Sequence, residues 1–302
     1  MDFPAEQLQT FKAVIEAGTL ERAARELNIT ASAVSQRLKA LERQAGSVLF
    51  IRSRPIRTTG SGDVLLRLAR EIHMLSTEAH RALGLESADG HAPRRTELSI
   101  AVNADSLASW FVPVLRGLAD QELMTCEILR HDEAHSTELL RSGQVMGVVT
   151  TKSTPVQGCS SVHLGAMRYR AMASPGFRDR WLPGNDHRAE LAAAPMVSFD
   201  RTDGLQRGLR RKIVGGTGPV APVEHFVPDS RVYVASVSNG LGWGMIPEIQ
   251  EPDDGSLVSL HASWTREVRL YWQRWKVPSK ALDLLTALVL EAARDAGLDR
   301  EP

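Results

Sequence analysis

Thr19-Leu20-Glu21-Arg22-Ala23-Ala24-Arg25-Glu26-Leu27-Asn28 and Thr30-Ala31-Ser32-Ala33-Val34-Ser35-Gln36-Arg37-Leu38-Lys39-Ala40-Leu41-Glu42 are two helical patterns joined through Asn28-Ile29-Thr30. In the first, Leu20, Ala23, Ala24 and Leu27 share one face. In the second, Val34, Leu38 and Leu41 do the same. The connection is too short for anything but a sharp turn, and Thr30 is a good N-cap for the second helix. Two helices meeting in this way predict a helix-turn-helix.

The polar side of the second helix carries Ser32, Ser35, Gln36 and Lys39, with Thr30 at its start and Arg37 at the margin. Such groups donate to base edges and phosphates, and a helix start favours a phosphate. An ordinary helical hairpin with a solvated face has the same pattern, and the neighbouring basic segment decides between the two. Arg43, Arg52, Arg54 and Arg57 come next, with no acid between Glu42 and Asp63. A basic segment after a recognition helix reads as a wing lying along the phosphate backbone. Residues 1–62 hold nine Lys/Arg against six Asp/Glu, a net of +3, whereas the whole chain is neutral. A basic head therefore sits on a body of net −3.

The pattern Ala23-Ala24, Leu27, Ser32-Ala33-Val34-Ser35, Leu38, Leu41-Glu42, Leu49-Phe50, Arg52, Thr59 and Gly62 resembles that of LysR-type transcriptional regulators. A second run, Leu98 to Trp110, is similar to the branch that regulates lysine and arginine export, members of which are also described as inhibitors of chromosome initiation. The resemblance covers nearly the whole chain and is weakest from Gln206 to Ala221. It implies double-stranded DNA, a basic amino acid effector, a homo-oligomer (dimer or tetramer) and RNA polymerase as partners, and a two-lobed effector domain of the periplasmic-binding-protein type. The chain departs from the family at Ala31, where a Gln reader is usual. After Thr59, Gly60-Ser61-Gly62 replaces helix formers and lacks the acid or amide of a capping box, which predicts a soft hinge behind the head.

The 302 residues, 43% hydrophobic and 24% charged, suit two or three compact units. No stretch approaches the ~20 apolar residues of a bilayer span. The N-terminal Met1-Asp2-Phe3-Pro4 lacks a signal-peptide pattern, so a cytoplasmic protein without membrane contact is expected. Cys126 and Cys159 have no metal-ligand spacing and read as small, partly buried side chains. Neither a cofactor nor a metal site is expected.

The expected fold class is α/β with an all-α winged helix-turn-helix head. The head covers 1–60, a linker helix and hinge 61–90, and the effector domain 91–302, with lobe I at about 94–150 and 257–302 and lobe II at about 160–250. In the linker, Leu65, Leu68, Ile72, Leu75, Ala79 and Ala82 form a heptad seam, which predicts pairing with another protomer. Glu86 to Pro93 reads as the hinge. From Arg94, strands at Thr96 to Val102, Thr125 to Leu129 and Val145 to Thr150 alternate with helices at Ser106 to Leu118 and Ser136 to Ser142. The second lobe has strands at Met167 to Ala173, Met196 to Phe199, Pro222 to Phe226 and Gly242 to Ile246, and a helix at Ser230 to Ser238. A strand at Glu267 to Trp272 and a helix at about Ser279 to Ala296 close the chain.

Ligands in open α/β sheets bind beyond strand ends, near helix starts. Asn103-Ala104-Asp105-Ser106 is the first such point. Ser106 is read as an N-cap whose free N–H groups welcome a carboxylate, although plain capping by Asp105 or Ser106 explains it equally well. Asn103 and Asp105 are placed to orient an amino group. Opposite candidates are Asp200 and Ser230. Asp200 and Asp132 are favoured for the cation, each with helix capping as the rival explanation. Thr150 lines a cleft or serves the crossover. His131 and His135 lack a metal-site context. Gly215-Gly216-Thr217-Gly218 lacks the Lys-Ser/Thr of a phosphate loop, and Trp264, Trp272 and Trp275 read as packing residues. No nucleophile or acid/base set emerges, so an enzyme is disfavoured. The rival to an effector-controlled regulator is a nucleoid-type protein that binds origin DNA and blocks initiation.

Overall fold

The computed structural model describes residues 2–83, 95–122, 124–131, 136–184, 187–214 and 223–299. The expected hinge at 86–93, Asp132, His135 and the glycine run at 215–218 lie outside these residues. The chain divides into two compact units. One comprises Met1–Val102, Arg116–Val162 and Trp272–Leu288; the other comprises Asn103–Leu115, His163–Tyr271 and Val289–Pro302. The boundaries expected near 60 and 90 both fall inside the first unit.

The first unit begins with the head: α1 (Ala5–Ala17), α2 (Leu20–Glu26), α3 (Ala31–Ala45) and a two-stranded wing, β1 (Phe50–Ile51) and β2 (Arg57–Thr58). Thr19 and Thr30 cap α2 and α3, accepting the N–H groups of Arg22 and Ala33 at 3.3 and 3.1 Å. Asn28 makes the turn in the left-handed region (φ 53°), where Asn is tolerated better than most residues. Val34, Leu38 and Leu41 bury the inner face of α3 against Leu8, Phe11 and Val14 of α1.

The linker helix, α4 (Gly60–Ala82), starts firmly, contrary to the soft hinge expected from Gly60-Ser61-Gly62. Thr59 Oγ1 accepts the Gly62 N–H at 3.1 Å and donates to the Val48 carbonyl at 2.7 Å. Thr58 donates to Asp63, whose carboxyl is raised above its usual range by burial, with the Thr58 hydroxyl opposing that shift. Gly62 is a packing requirement here, because a Cβ would stand 1.9 Å from the Leu49 carbonyl oxygen. Gly62→Ala is expected to destabilise the head by about 1–3 kcal/mol, the usual cost of overpacking, read as a lowered thermal midpoint. An unchanged midpoint would show that the wing yields freely.

The heptad seam is divided. Leu65 and Leu68 pack on the head's own core, whereas Ile72 and Leu75 are exposed. Val64, Ile72, Leu75, Ala79, Ala82 and Leu83 leave an apolar stripe open along α4.

The rest of the first unit is a parallel sheet. β3 (Thr96–Val102) lies between β4 (Met124–Arg130) and β5 (Gly147–Thr150), with α7 (Ser136–Arg141) leading into β5. Trp272 and Trp275 are fully buried in this unit, their indole N–H groups donating to Thr286 Oγ1 and the Leu140 carbonyl. The tryptophans therefore serve packing, as their alternation predicted. Cys126 and Cys159 are free thiols; burial and the charge of Glu127 push Cys126 up to about 11.

In the second unit, α5 (Ala104–Ala108) follows β3 directly. The helix expected from Ser106 to Leu118 is broken after α5 and resumes as α6 (Val112–Ala119). Pro113 explains the break, since it has no N–H to donate to the Ser109 carbonyl in a continuous helix. β6 (Cys159–Ala173), longer than expected, pairs antiparallel with β9 (Gly244–Pro247) and β10 (Val258–Ser259). The short strands β7 (Met196–Ser198) and β8 (Glu224–Phe226) are parallel. α8 (Pro175–Trp181), α9 (His187–Ala193), α10 (Gly204–Val214) and α11 (Ser230–Ser238) cover these strands. β11 (Thr265–Trp275) and α12 (Lys280–Asp295) complete the chain.

Candidate functional site

The head presents its polar surface as the sequence predicts at most positions. Ser32, Gln36 and Lys39 of α3 are exposed and Ser35 is half-buried. Arg52, Arg54 and Arg57 are exposed on the wing. Thr30 works as the cap of α3. Arg37 is engaged within the head. It turns onto α1, pairing with Glu6 at 3.0 Å and donating to Thr10 at 3.4 Å, because α1 supplies a carboxylate within reach of the α3 margin.

Arg52→Ala or Arg54→Ala is expected to weaken binding to every DNA sequence and to lower the slope of log affinity against log salt by about one per lost phosphate contact. Ser32→Ala or Gln36→Ala should instead alter sequence preference, by about 1–3 kcal/mol per base read. Filter binding across a salt series checks both, and an unchanged slope in the arginine variants would remove the wing from the interface.

The second unit gathers a different set of groups around Asp105, the second residue of α5. Its Oδ2 accepts the Tyr169 hydroxyl of β6 at 2.8 Å. Its Oδ1 lies 2.6 Å from the Ser230 hydroxyl at the start of α11. Ser230 is also 2.9 Å from Gln250 Oε1, so one hydroxyl proton serves two acceptors. Gln250 Nε2 donates to the Asp105 carbonyl at 3.0 Å. Burial raises the Asp105 carboxyl above its usual range. The Ser230 and Tyr169 hydroxyls oppose this shift and the like charge of Asp203 adds to it. None of these groups is a cation.

Tyr233 lies nearby on α11. Its hydroxyl donates to the Val197 carbonyl and accepts from Met245 N–H and Gln206 Nε2. Burial, with the charges of Asp203 and Asp105, pushes the Tyr233 hydroxyl well up.

Several expected contacts are corrected. Ser106 is not an N-cap. Asn103 takes that position with extended geometry and accepts the Leu107 N–H, so Ser106 falls inside a five-residue helix. Its hydroxyl is buried and faces the Met167 sulfur at 3.7 Å. Asp200 forms a local turn, accepting the N–H and hydroxyl of Thr202, both at 2.6 Å. The Thr202 hydroxyl holds its carboxyl below the usual range. Asp203, not Asp200, caps α10, through the N–H groups of Leu205 and Gln206. Thr150 belongs to the first unit, where it is buried and accepts the Lys152 N–H. Asn103, Asp105 and Ser230 remain together in the second unit. Sequence reasoning missed Tyr169 and Gln250. Tyr169 offered a signal, a lone hydroxyl on the buried side of an alternating strand, while Gln250 had none.

A winged helix-turn-helix followed by α/β units defines a regulator of the helix-turn-helix class that carries a separate α/β domain. Residues 5–63 match the model of the bacterial regulatory helix-turn-helix protein, lysR family, and residues 91–294 match the LysR substrate binding domain. The chain belongs to the LysR family of transcriptional regulators.

It is 42% identical to the HTH-type transcriptional regulator LysG of Mycobacterium tuberculosis, over 95% of this chain and 92% of that one. It is 38% identical to the lysine export transcriptional regulatory protein LysG of Corynebacterium glutamicum, over 95% and 97%. Among solved structures it is similar to full-length LysG from Corynebacterium glutamicum with bound effector Arg (TM-score 0.78, 36% identity, 97% and 98% covered). It is also similar to ArgP from Mycobacterium tuberculosis (TM-score 0.81, 42% identity, 95% and 96% covered).

Proposed function

We propose that this regulator binds lysine or arginine as its effector and controls a gene for export of basic amino acids. The observation that carries this reading is the likeness, along 97% of the chain, to a LysG that holds arginine as effector. The chemistry of the second unit supports it: Asp105 is flanked by the hydroxyls of Tyr169 and Ser230, and no ion pair reaches it among the described residues. A basic amino acid brings a cation. Its carboxylate calls for donors, and the role first given to Ser106 passes to the hydroxyls and side-chain amides near Asp105. The protein acts as a homo-oligomer through the apolar stripe of α4, so that two heads read an interrupted palindrome, and it meets RNA polymerase at the promoter.

Footprinting of the intergenic DNA beside the protein's own gene, with and without each basic amino acid, tests the reading. The expected result is a footprint whose extent changes with lysine or arginine. A footprint on AT-rich origin DNA, indifferent to every amino acid, would favour the nucleoid-type alternative.

A further inference from the structure

In the first unit, one face of α4 is devoted to polar clamps. Arg70 is almost fully buried, and its guanidinium is shared between two parts of the protein. Nε and Nη2 donate to Glu16 Oε1 of α1 at 3.2 and 3.0 Å. Nη1 donates to the carbonyls of Gly143 and Gln144 on the turn between α7 and β5, both at 2.6 Å. Lys12 holds the other Glu16 oxygen at 2.9 Å.

One turn earlier, Arg67 donates to the Gln157 and Gly158 carbonyls and stacks over Trp275 at 5.3 Å. Two turns later, Ser279 donates to Glu78 at 2.6 Å. Gly143 is glycine for this packing: a Cβ there would stand 2.8 Å from the Arg67 Cα, and its φ is +75°. Among the described residues, Arg70 joins the DNA-binding helices to the regulatory sheet by short hydrogen bonds on both sides, and Lys12 of α1 adds a looser link, 3.9 Å from Glu97 of β3.

We propose that Arg70 is a positioning residue that couples the regulatory domain to the DNA-binding head within a single chain. The proposal rests on the effector-controlled reading of the function. Its geometry is directional. The carbonyls of Gly143 and Gln144 open β5, and β5 pairs with β3 through Ile100↔Gly147 and Ala101↔Val148. β3 runs on into Asn103 and α5, which carries Asp105. A shift of β3 and β5 moves the two carbonyls, and the planar fork can keep both of them and Glu16 only in one arrangement. A cavity of about 30 Å³, lined by Lys12, Glu16, Arg70, Thr96, Glu97 and Met146 among others, lies beside the clamp. It has room for a water to replace a lost partner, so the clamp has a second state open to it.

The test is the coupling between effector and DNA in full-length protein. Affinity for the operator fragment is measured with and without arginine in wild type, Arg70→Met and Glu16→Gln. Calorimetry follows arginine binding to DNA-free protein. Wild type is expected to show an effector-dependent ratio in the range of about 5–150-fold. Both variants should bring that ratio to within about twofold of one, while arginine affinity without DNA stays near wild type; Arg70→Met, which leaves the Gly143 and Gln144 carbonyls unpaired, should lower the thermal midpoint more than Glu16→Gln. By linkage, arginine should then bind DNA-free and DNA-bound variants equally. A wild-type ratio in both variants overturns the proposal, and so does loss of arginine binding by DNA-free protein.

A second readout needs no effector. Nitroxides at Ser47→Cys and Thr125→Cys in a Cys126→Ser background, diluted into unlabelled protein, report the distance from head to regulatory sheet within one chain. The distribution should be narrow with Arg70 and broad in Arg70→Met. Equal widths overturn the proposal even if wild type binds no basic amino acid, an outcome that would separately remove the effector reading.

Discussion

Asp105→Asn is expected to lower arginine and lysine affinity by about 100- to 1,000-fold. A cation brought to a buried site without its carboxylate forfeits about 3–5 kcal/mol, and each 1.4 kcal/mol is a factor of ten. DNA affinity in the absence of effector should survive, because Asp105 and its partners lie outside the unit that carries the head.

The same substitution should stabilise the effector-free protein at neutral pH, and the sign comes from the raised carboxyl. Its folded pKa exceeds the unfolded one, so above the folded value the ionised group weakens the fold by its full penalty. The penalty fades as pH falls through the folded pKa and is gone below the unfolded one. Asn carries no such penalty at any pH. Calorimetric titration, and thermal unfolding followed as pH is lowered from neutral, read both effects. Wild-type arginine affinity in Asp105→Asn would remove this residue from the site. A wild-type protein that binds neither lysine nor arginine would remove the effector class.

The second large effect is on assembly. Ile72→Glu and Leu75→Glu should each convert the oligomer to monomer if, as proposed, a second copy covers the apolar stripe of α4, because a charge would enter that interface. Both side chains are about 40% exposed in the single chain, so its fold should survive. Leu68→Glu is a poorer probe, since Leu68 packs on the head's own core. Losing the paired head should cost operator affinity about 10²- to 10⁴-fold, the usual contribution of a tethered second site. Sedimentation would decide: intact oligomers in both variants would move the interface elsewhere.

The head was legible because its signals are local. Thr19 and Thr30 cap the helices that they precede, and three apolar residues on α3 fix its inward face. The strand β3 and the helix α11 also fall where periodicity put them. The break between α5 and α6 was present in the sequence as Pro113 and was outweighed by the apolar run around it. The proposed effector site was legible only as a region. Asp105 and Ser230 were among the candidates, but Tyr169 and Gln250 are 64 and 145 residues from Asp105 in the chain, and only the fold brings them to it.

Asp200 and Ser106 depart from expectation for different reasons: the Asp200 carboxylate is taken up by the N–H and hydroxyl of Thr202, and α5 starts at Asn103, which turns the Ser106 hydroxyl inward to Met167. The seam on α4 was read correctly as apolar. Its neighbouring polar face, with Arg67 and Arg70 three apart, gave no pattern that separates a clamp from ordinary surface charge.

The firm start of α4 has a consequence for how operators and regulators change together. With Thr59, Gly62 and Asp63 fixing the helix to the wing, α4 behaves as a threaded shaft about 35 Å long. Its apolar stripe then sits at a set rotational phase from the recognition helix. One residue added between Glu71 and Ile72 would turn the stripe by about 100° and advance it by about 1.5 Å relative to the head. Seven added residues, close to two full turns, would nearly restore the phase and lengthen the reach by about 10 Å, three base-pair steps along the duplex. If two copies pair through this stripe as proposed, half-site separation becomes a property of helix length counted in whole turns, open to change by insertion without altering any residue of the recognition helix or wing.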